Sequence, residues 1–421
     1  MQAPCPPHEV SAIPSERRVA IIGAGGVGAC AALELAARGH RVELFEETSL
    51  AVSRASFVNE GKIHLGYLYA VDASLRTSAQ MIEGALVFEE YLRRWIPFTA
   101  ADVASTPFHY CVHRGTLLDA DHLAAHYQRC ATHYRERSRA SGRDYLGLGV
   151  GSGFAQQKEE EYAEWLDPAY FEAVFRTTEH AVDPRVVAEM LRAALAAEPR
   201  ITLRVAHRVE GVRVERRGYR VRYLHGGTAG EEACSDVVNA AWSGRLPIDR
   251  GVGIEPPYPW LHRYKFGNRV MLALAPDAIP SFTCVQGPFG DIVNFGGNGM
   301  FLSWYPVGRT GMSSDEVPPD WHASYTPEQR RDVFERSFAA WRERSPRLRT
   351  LGIERAEVDA NGALIYALGD RDVDHVTSRL HDRFEIGIQS RDRYHSVDTG
   401  KYTLVPYWGK RVADRVEGVG P

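Results

Sequence analysis

Lysine is scarce in this chain. Of its 50 basic side chains only five are lysines, Lys62, Lys158, Lys265, Lys401 and Lys410. A bias towards arginine accounts for most of that, yet the places where lysine persists bear following. Positive charge is not in excess either: 50 basic against 54 acidic residues leave a net charge of −4, which excludes the basic field expected of a nucleic-acid partner. Cysteine is sparse and scattered. The six, Cys5, Cys30, Cys111, Cys130, Cys234 and Cys284, form no CxxC pair, so neither a zinc site nor a disulfide framework follows. No metal is expected, and a reducing cytoplasm is the expected location.

A long hydrophobic run is also missing. The most apolar stretch, 19–37, is interrupted by Gly23, Gly25, Gly26 and Gly28 and carries Glu34, so it is a poor membrane span. Arg17-Arg18 ahead of it has the look of a twin-arginine export signal, but the segment that follows reads as a folded nucleotide site. Residues 1–16, with four prolines and little periodicity, read as a flexible leader. What remains is ordinary globular material: 421 residues, 44% apolar and 25% charged, enough for two or three domains.

Residues 18–22 form an apolar run of strand length, 26–38 follow with helical spacing, and 41–46 form a second strand. That order predicts a βαβ unit, hence a parallel sheet buried on both faces. Asp183-Pro184 and Thr326-Pro327 each place a capping side chain before a first-turn proline. Gln329 completes a capping box, with Phe334, Phe338 and Trp341 on one stripe. Residues 209–223 alternate around a turn at Arg217-Gly218, and 292–305 are broken by Gly296-Gly297-Asn298-Gly299, a hairpin signal.

Gly23-Ala24-Gly25-Gly26-Val27-Gly28 is GxGxxG at the strand-to-helix turn. Gly23 suits the tight turn, Gly25 a close approach to a pyrophosphate, and Gly28 close packing of helix on strand, while the helix N-terminus offers unpaired N–H groups to phosphates. Glu46, eighteen residues after Gly28, closes the second strand where a carboxylate accepts from a ribose diol. An acid there argues against a 2′-phosphate and for NAD or FAD. The next segment, 53–67, is polar, glycine-bearing and irregular, where an NAD domain goes straight into another βα repeat. Such a loop suits a cofactor that extends beyond its two nucleotides.

The segment from Ser53 to Tyr67, which carries N-x-G-x-I-H-x-G from Asn59 to Gly66, resembles the flavin-facing loop of the D-amino-acid oxidase-like FAD-dependent oxidoreductases. In motif it is closest to the L-2-hydroxyglutarate and glycerol-3-phosphate dehydrogenase branches. Three later segments are similar to the same family: Val182-Asp183-Pro184 before a helix, Val209 on the strand that meets adenine, and the small-residue contact Ala240-Ala241-Trp242. Thr399-Gly400-Lys401-Tyr402-Thr403 resembles the start of its C-terminal flavin-capping helix. The resemblance implies FAD held by Gly23, Gly25, Gly26, Val27, Gly28, Glu46, Glu47, Ser53, Arg54, Ser56, Asn59, Gly61, Lys62, Ile63 and His64, and by those later residues. The last cysteine is Cys284, so no C-terminal thiol offers a covalent link; His64 lies near a position that carries one elsewhere, and non-covalent FAD is expected.

In that family a hydride leaves a C–H beside OH or NH for flavin N5, and the protein positions the substrate and tunes charge. His64 is then the candidate base, Lys62 a flavin contact or a partner of Glu60, and Lys401 a cation for the charge of the reduced ring. Arg263, Tyr264 and Lys265 are candidate anchors for a substrate carboxylate or phosphate, and Tyr67 a pocket wall.

The expected fold is α/β, a Rossmann-type, glutathione-reductase-like FAD-binding domain (17–70, 175–256 and 347–421). It is interleaved with a mixed, largely antiparallel β substrate domain carrying helices (71–174 and 257–346). The expected function is an FAD-dependent oxidase or dehydrogenase of a hydroxy acid, a polyol or sugar derivative, or an amino acid, with oxygen or another electron acceptor and no transmembrane segment. Two other classes fit parts of the pattern: a flavin monooxygenase using NAD(P)H and O2, although no second dinucleotide fingerprint appears, and a non-catalytic FAD-binding scaffold. Neither the substrate nor the oligomeric state is legible.

Overall fold

The computed structural model describes residues 17–149, 151 and 153–419; the expected leader, 1–16, lies outside the described residues. A six-stranded sheet runs in the order Ile388–Arg391, Tyr394–Val397, Asp236–Asn239, Arg18–Ile22, Arg41–Phe45, Ile201–Arg204, parallel throughout except for its first pair. Arg18–Ile22 sits at its centre, and its side chains divide by the two-residue period of a strand. Val19 and Ile21 join the core beneath helix Gly26–Ala37, whereas Ala20 and Ile22 join a second core. That second core lies under an antiparallel sheet of His207–Glu215, Gly218–His225 and Thr228–Cys234. Both faces are covered, which explains a run with no polar position after Arg18.

Helix Gly26–Ala37 is flanked by Pro184–Ala197 and by the last helix, Val405–Glu417. Its one acid, Glu34, is fully buried and accepts from Arg38 Nε at 3.0 Å, Arg94 Nη2 at 2.8 Å and Trp95 Nε1 at 2.8 Å. Arg38 continues to Asp414 (2.6 Å) and Glu417 (2.8 Å), so one ionic cluster fastens the first helix to the last. A buried carboxylate is tolerable only with such partners.

The larger sheet is antiparallel except where Ser281–Cys284 lies parallel to Phe108–His113. Gly290–Asn294 and Met300–Trp304 pair across the Gly296–Asn298 turn, the hairpin expected there. Helix Pro327–Arg344 covers this sheet with Phe334, Phe338 and Trp341, and Thr326 and Gln329 make both bonds of the capping box. Asp183 caps Pro184–Ala197 through Arg185 N at 3.0 Å. The hairpin expected around Arg217-Gly218 is present, between His207–Glu215 and Gly218–His225.

Several elements pair or pack across the expected segment boundaries. Glu357–Leu368, placed in the FAD-binding part (347–421), pairs along its whole length with Trp260–Met271 and so belongs to the larger sheet. Phe171–Thr177 also lies in that sheet and overruns the boundary set at 175. Helix Arg76–Leu92, expected with the substrate domain, packs against the last helix. Among the described residues no helix is long and apolar enough to cross a membrane, and no group of three or more His, Cys, Asp or Glu is placed to hold a metal ion.

Candidate active site

A cavity of about 900 Å3 runs between the two sheets. It begins at the glycine turn. Gly23 has φ +93°, and a Cβ there would meet Ala240 O at 2.7 Å; at Gly28 a Cβ would lie 1.9 Å from Gly23 O. Those two glycines let the turn close upon the neighbouring strand. Gly25 differs: a Cβ there would meet nothing nearer than Ser56 Oγ at 3.8 Å, so its backbone is bare towards the cavity. Gly26 N donates to Ser56 Oγ at 2.9 Å, and Val405 at the start of the last helix touches Gly26, so two helix N-termini converge here. Both dipoles favour negative charge at that end.

Glu46 lines the cavity with its carboxylate fixed by Ala24 N (3.0 Å), Thr48 N (2.9 Å) and Thr48 Oγ1 (2.8 Å). Val27, Glu47, Ser53, Arg54, Val209, Ala240, Ala241 and Trp242 also reach the cavity. Asn59 reaches it too, although its amide is spent on the loop itself, donating to Ala55 O at 3.0 Å and accepting from Gly61 N at 2.7 Å.

Four residues expected at a cofactor lie behind the cavity wall. Gly28 is inside the turn. Gly61, at φ +69°, is pressed on Val182, whose oxygen stands 2.0 Å from where a Cβ would be. Ile63 is fully buried in the core and pairs with His180, because strand alternation sends Lys62 and His64 one way and Ile63 the other. Thr403 is fully buried; its Oγ1 accepts from His64 N at 3.0 Å and donates to Lys62 O at 3.1 Å. It clamps the loop rather than facing the cavity.

Three of the five lysines, Lys62, Lys265 and Lys401, line the middle of the cavity. Lys62 does not pair with Glu60: its ammonium donates to Thr283 Oγ1 and to Asp291 Oδ1 at 3.0 Å. Lys265 reaches the other oxygen of Asp291 at 3.5 Å. Burial alone would raise the Asp291 carboxyl, but the two ammonium groups hold it well below the usual carboxylate range. Lys401 has no such partner at ion-pair distance among the described residues. Desolvation, opposed by Glu60 and reinforced by Arg383, Lys62 and Lys265, pushes its ammonium down to about 7. Thr399, Gly400 and Tyr402 line the cavity beside it.

His64 is 1% exposed, faces the cavity, and packs edge-on against Tyr69 at 5.4 Å. Its Nδ1 stands 3.3 Å from Glu179 Oε1, close enough for ion pairing though not aligned as a hydrogen bond. Desolvation lowers the imidazole's pKa despite Glu179, with Lys401 and Lys62 adding to the effect. Glu179 is fully buried and also accepts from Leu65 N at 2.6 Å and from the Tyr110 hydroxyl. A neutral imidazole with a carboxylate behind it can take up a proton from the cavity side.

The far end is lined by Arg263, Tyr305, Tyr69, Leu380 and Arg383. Arg263 and Lys265 share a strand face. Tyr264 between them points the other way, stacked on Tyr325 at 5.8 Å and bonded to His322 Nδ1 at 3.2 Å, which removes it from the candidate anchors. Tyr67, expected as a pocket wall, is instead fully buried among Tyr110 and Tyr127. Glu179, Asp291, Asp372 and Arg383 were not anticipated. None belongs to a motif, and each comes from a segment far from the glycine turn in sequence.

The family model described as "DAO: FAD dependent oxidoreductase" matches residues 18–264. No curated protein sequence matches the chain. Among solved structures, glycine oxidase from Geobacillus kaustophilus superposes with a TM-score of 0.66 at 19% identity, covering 96% of each chain. L-Amino acid deaminase from Proteus myxofaciens does so with a TM-score of 0.63 at 16% identity, over 98% of this chain and 92% of that one. L-Proline dehydrogenase from P. horikoshii gives 0.60 at 16% identity, over 96% and 94%. At these identities the likeness is one of fold.

Proposed function

The chain belongs to the DAO family of FAD-dependent oxidoreductases, and from that premise we propose that it oxidises the C–H beside the hydroxyl or amine of a small hydroxy or amino acid. Bound FAD supplies the hydride acceptor. The observation that carries this reading is the continuity of one cavity from the glycine turn and Glu46 to His64, Lys401 and the arginine-lined far end.

The residues present fit the cofactor. Gly25 offers bare backbone where a pyrophosphate needs close approach, and the helix N-termini at Gly26 and Val405 favour its charge. Glu46 would accept from a ribose diol, and Val209, Ala240 and Trp242 would flank the adenosine half. Lys62, His64, Lys401 and Tyr402 would surround the ring, held without a covalent link. In this arrangement His64 accepts the hydroxyl or ammonium proton, and Glu179 steadies the imidazolium that results. Arg263 and Lys265 draw the substrate's anionic group to their side of the cavity. Glycine oxidase and L-amino acid deaminase among the structural neighbours favour an amino acid, while the Ile63-His64 form of the loop favours a hydroxyl donor. Five free, buried cysteines, Cys30, Cys111, Cys130, Cys234 and Cys284, support a location in the cytoplasm.

The test is anaerobic. Protein reconstituted with FAD should be yellow, and a panel of hydroxy acids and amino acids should contain one that bleaches it unaided. Bleaching only with NAD(P)H would favour the monooxygenase class, and a preparation that binds FAD but is bleached by nothing would favour the scaffold. A second expectation concerns Gly25→Ala. It should cost the fold no more than about 1 kcal/mol, since the new methyl meets no protein atom closer than 3.8 Å. FAD affinity should nevertheless fall by about tenfold, or about 1.4 kcal/mol. Thermal melting of the apoprotein and FAD titration separate the two effects.

A further inference from the structure

One uncharged side chain on the cavity wall is held in an unusual way. Gln286 follows strand Ser281–Cys284, lines the cavity and is 4% exposed. Its φ of +57° lies in the left-handed region, which residues with a side chain seldom enter. The segment after the neighbouring strand pins it there. The carbonyl of Gln286 accepts from Leu117 N at 2.8 Å and from Thr116 Oγ1 at 3.1 Å, and Thr116 Oγ1 also reaches Val285 O at 2.8 Å. A backbone fixed by its surroundings in a sparsely populated conformation is characteristic of places where a side chain has to be aimed.

The amide is aimed as firmly as the backbone. Nε2 donates to Leu68 O at 2.7 Å, and because a carbonyl only accepts, this contact fixes which end of the amide is nitrogen. Oε1 is left without a hydrogen bond among the described residues. Unlike the Tyr69 hydroxyl it is not sealed within protein, so it opens on the cavity. Leu68 adjoins Tyr69, whose ring packs on His64 at 5.4 Å, which puts the amide on the His64 side. The carboxylates of Asp291 and Asp372 are spent on Lys62 and Lys265, and on Arg263 and Arg309. Oε1 is thus a neutral acceptor with nothing in the protein to accept from, beside cations that are themselves donors.

We propose that Gln286 is a specificity-determining residue whose amide oxygen accepts a second N–H or O–H of the substrate, beside the one given to His64, so that the substrate carries two hydrogen-bond donors at or next to the reacting carbon. This deepens the reading under Proposed function and rests on it. A simple 2-hydroxy acid has one such donor and spends it on the base. A reacting amine keeps a further N–H, and a vicinal diol keeps a second O–H. Either satisfies Oε1, whereas a one-donor acid would bury it unanswered. Sites built on a hydrogen bond reject analogues that lack the donor for that reason.

The experiment uses the FAD-loaded full chain under anaerobic conditions and reads the shift of the bound flavin's visible absorption. The probes are carboxylates with a quaternary C2, from which no hydride can leave. Pivalate has no donor, 2-hydroxyisobutyrate has one, and 2-aminoisobutyrate and 2,3-dihydroxy-2-methylpropanoate have two or more. At least one of the last two should bind about tenfold more tightly than 2-hydroxyisobutyrate. Preference for 2-aminoisobutyrate assigns an amine, and preference for the diol a vicinal hydroxyl. In Gln286→Met, and in Gln286→Asn, whose shorter amide suits the left-handed backbone, that preference should fall to about twofold or less. Pivalate and 2-hydroxyisobutyrate should bind both variants within about threefold of wild type. Equal loss of affinity for all four probes would overturn the inference and make Gln286 a structural support. So would a preference that survives both substitutions, or no response to any probe. The wild-type ranking decides even where a variant does not fold: 2-hydroxyisobutyrate binding as tightly as both richer donors overturns the inference. In each of these cases a yellow, substrate-reducible enzyme leaves the proposed function standing. A chain that takes up no FAD overturns both.

Discussion

His64→Ala is expected to yield a yellow holoenzyme whose flavin is reduced by substrate about 10²–10⁴-fold more slowly, the range ordinarily lost with a general base. The argument rests on placement. His64 is held by Thr403 through its backbone, reaches the cavity with its ring, and has Glu179 behind Nδ1. Its pKa lies below the ordinary histidine value, so the base is already unprotonated at neutral pH. The reduction rate should therefore rise with pH through a value below about 6.5 and be flat above it. Glu179 is the partner that raises this pKa, so Glu179→Gln should move the acid limb to still lower pH. Anaerobic stopped-flow reduction measured across pH checks both statements; reduction by His64→Ala at the wild-type rate would reassign His64 to positioning the loop.

Lys401→Met should lower the midpoint potential of the bound flavin by about 30–60 mV. That figure converts the usual worth of a hydrogen bond to a charged group, about 1.5–3 kcal/mol, for a two-electron couple. The sign follows from charge: reduction adds negative charge to the ring, and removing a cation beside it disfavours reduction. The wild type should also show a pH effect that the variant lacks. With a pKa pushed down to about 7, Lys401 is only partly protonated at neutral pH, and negative charge arriving beside it draws in a proton. Above about 7 the wild-type potential should fall with pH more steeply than that of Lys401→Met, by up to about 30 mV per pH unit. Equal slopes and equal potentials would place the tuning charge elsewhere. Spectroelectrochemical titration of both proteins reads the comparison.

What the sequence disclosed depended on how local the signal was. The glycine turn, Glu46 and the caps at Asp183 and Thr326 are written within a few residues, and each was legible. Helix Ala120–Ser141 was not, although Asp119 caps it and Gly142 ends it at φ +65°. Its buried stripe consists of Leu123, His126, Tyr127, Cys130, Ala131 and Tyr134, whose mixed polarity hides the helical period. The cavity residues divide in the same way. Lys62 and His64 could be picked out from their loop, but whether neighbours such as Ile63 or Tyr264 share their face depends on strand phase. Asp291 for Lys62 and Glu179 for His64 are partners that only the tertiary fold supplies. Lone acids in strands and turns carry no periodicity, and their roles come from what the opposite sheet brings to them.

The clamp by Thr403 has a consequence for how the enzyme is made. The hydrogen bond from His64 N to Thr403 Oγ1 joins positions 339 apart. At the usual pace of synthesis, about 5–20 residues per second, roughly 20–70 s separate the emergence of the two ends. Throughout that interval the nascent chain has its glycine turn but not the piece that closes the loop over it. Stable uptake of the cofactor therefore waits for Thr403 to emerge, and cellular FAD supply acts on a chain that has passed that point rather than on one that has made only its glycine turn.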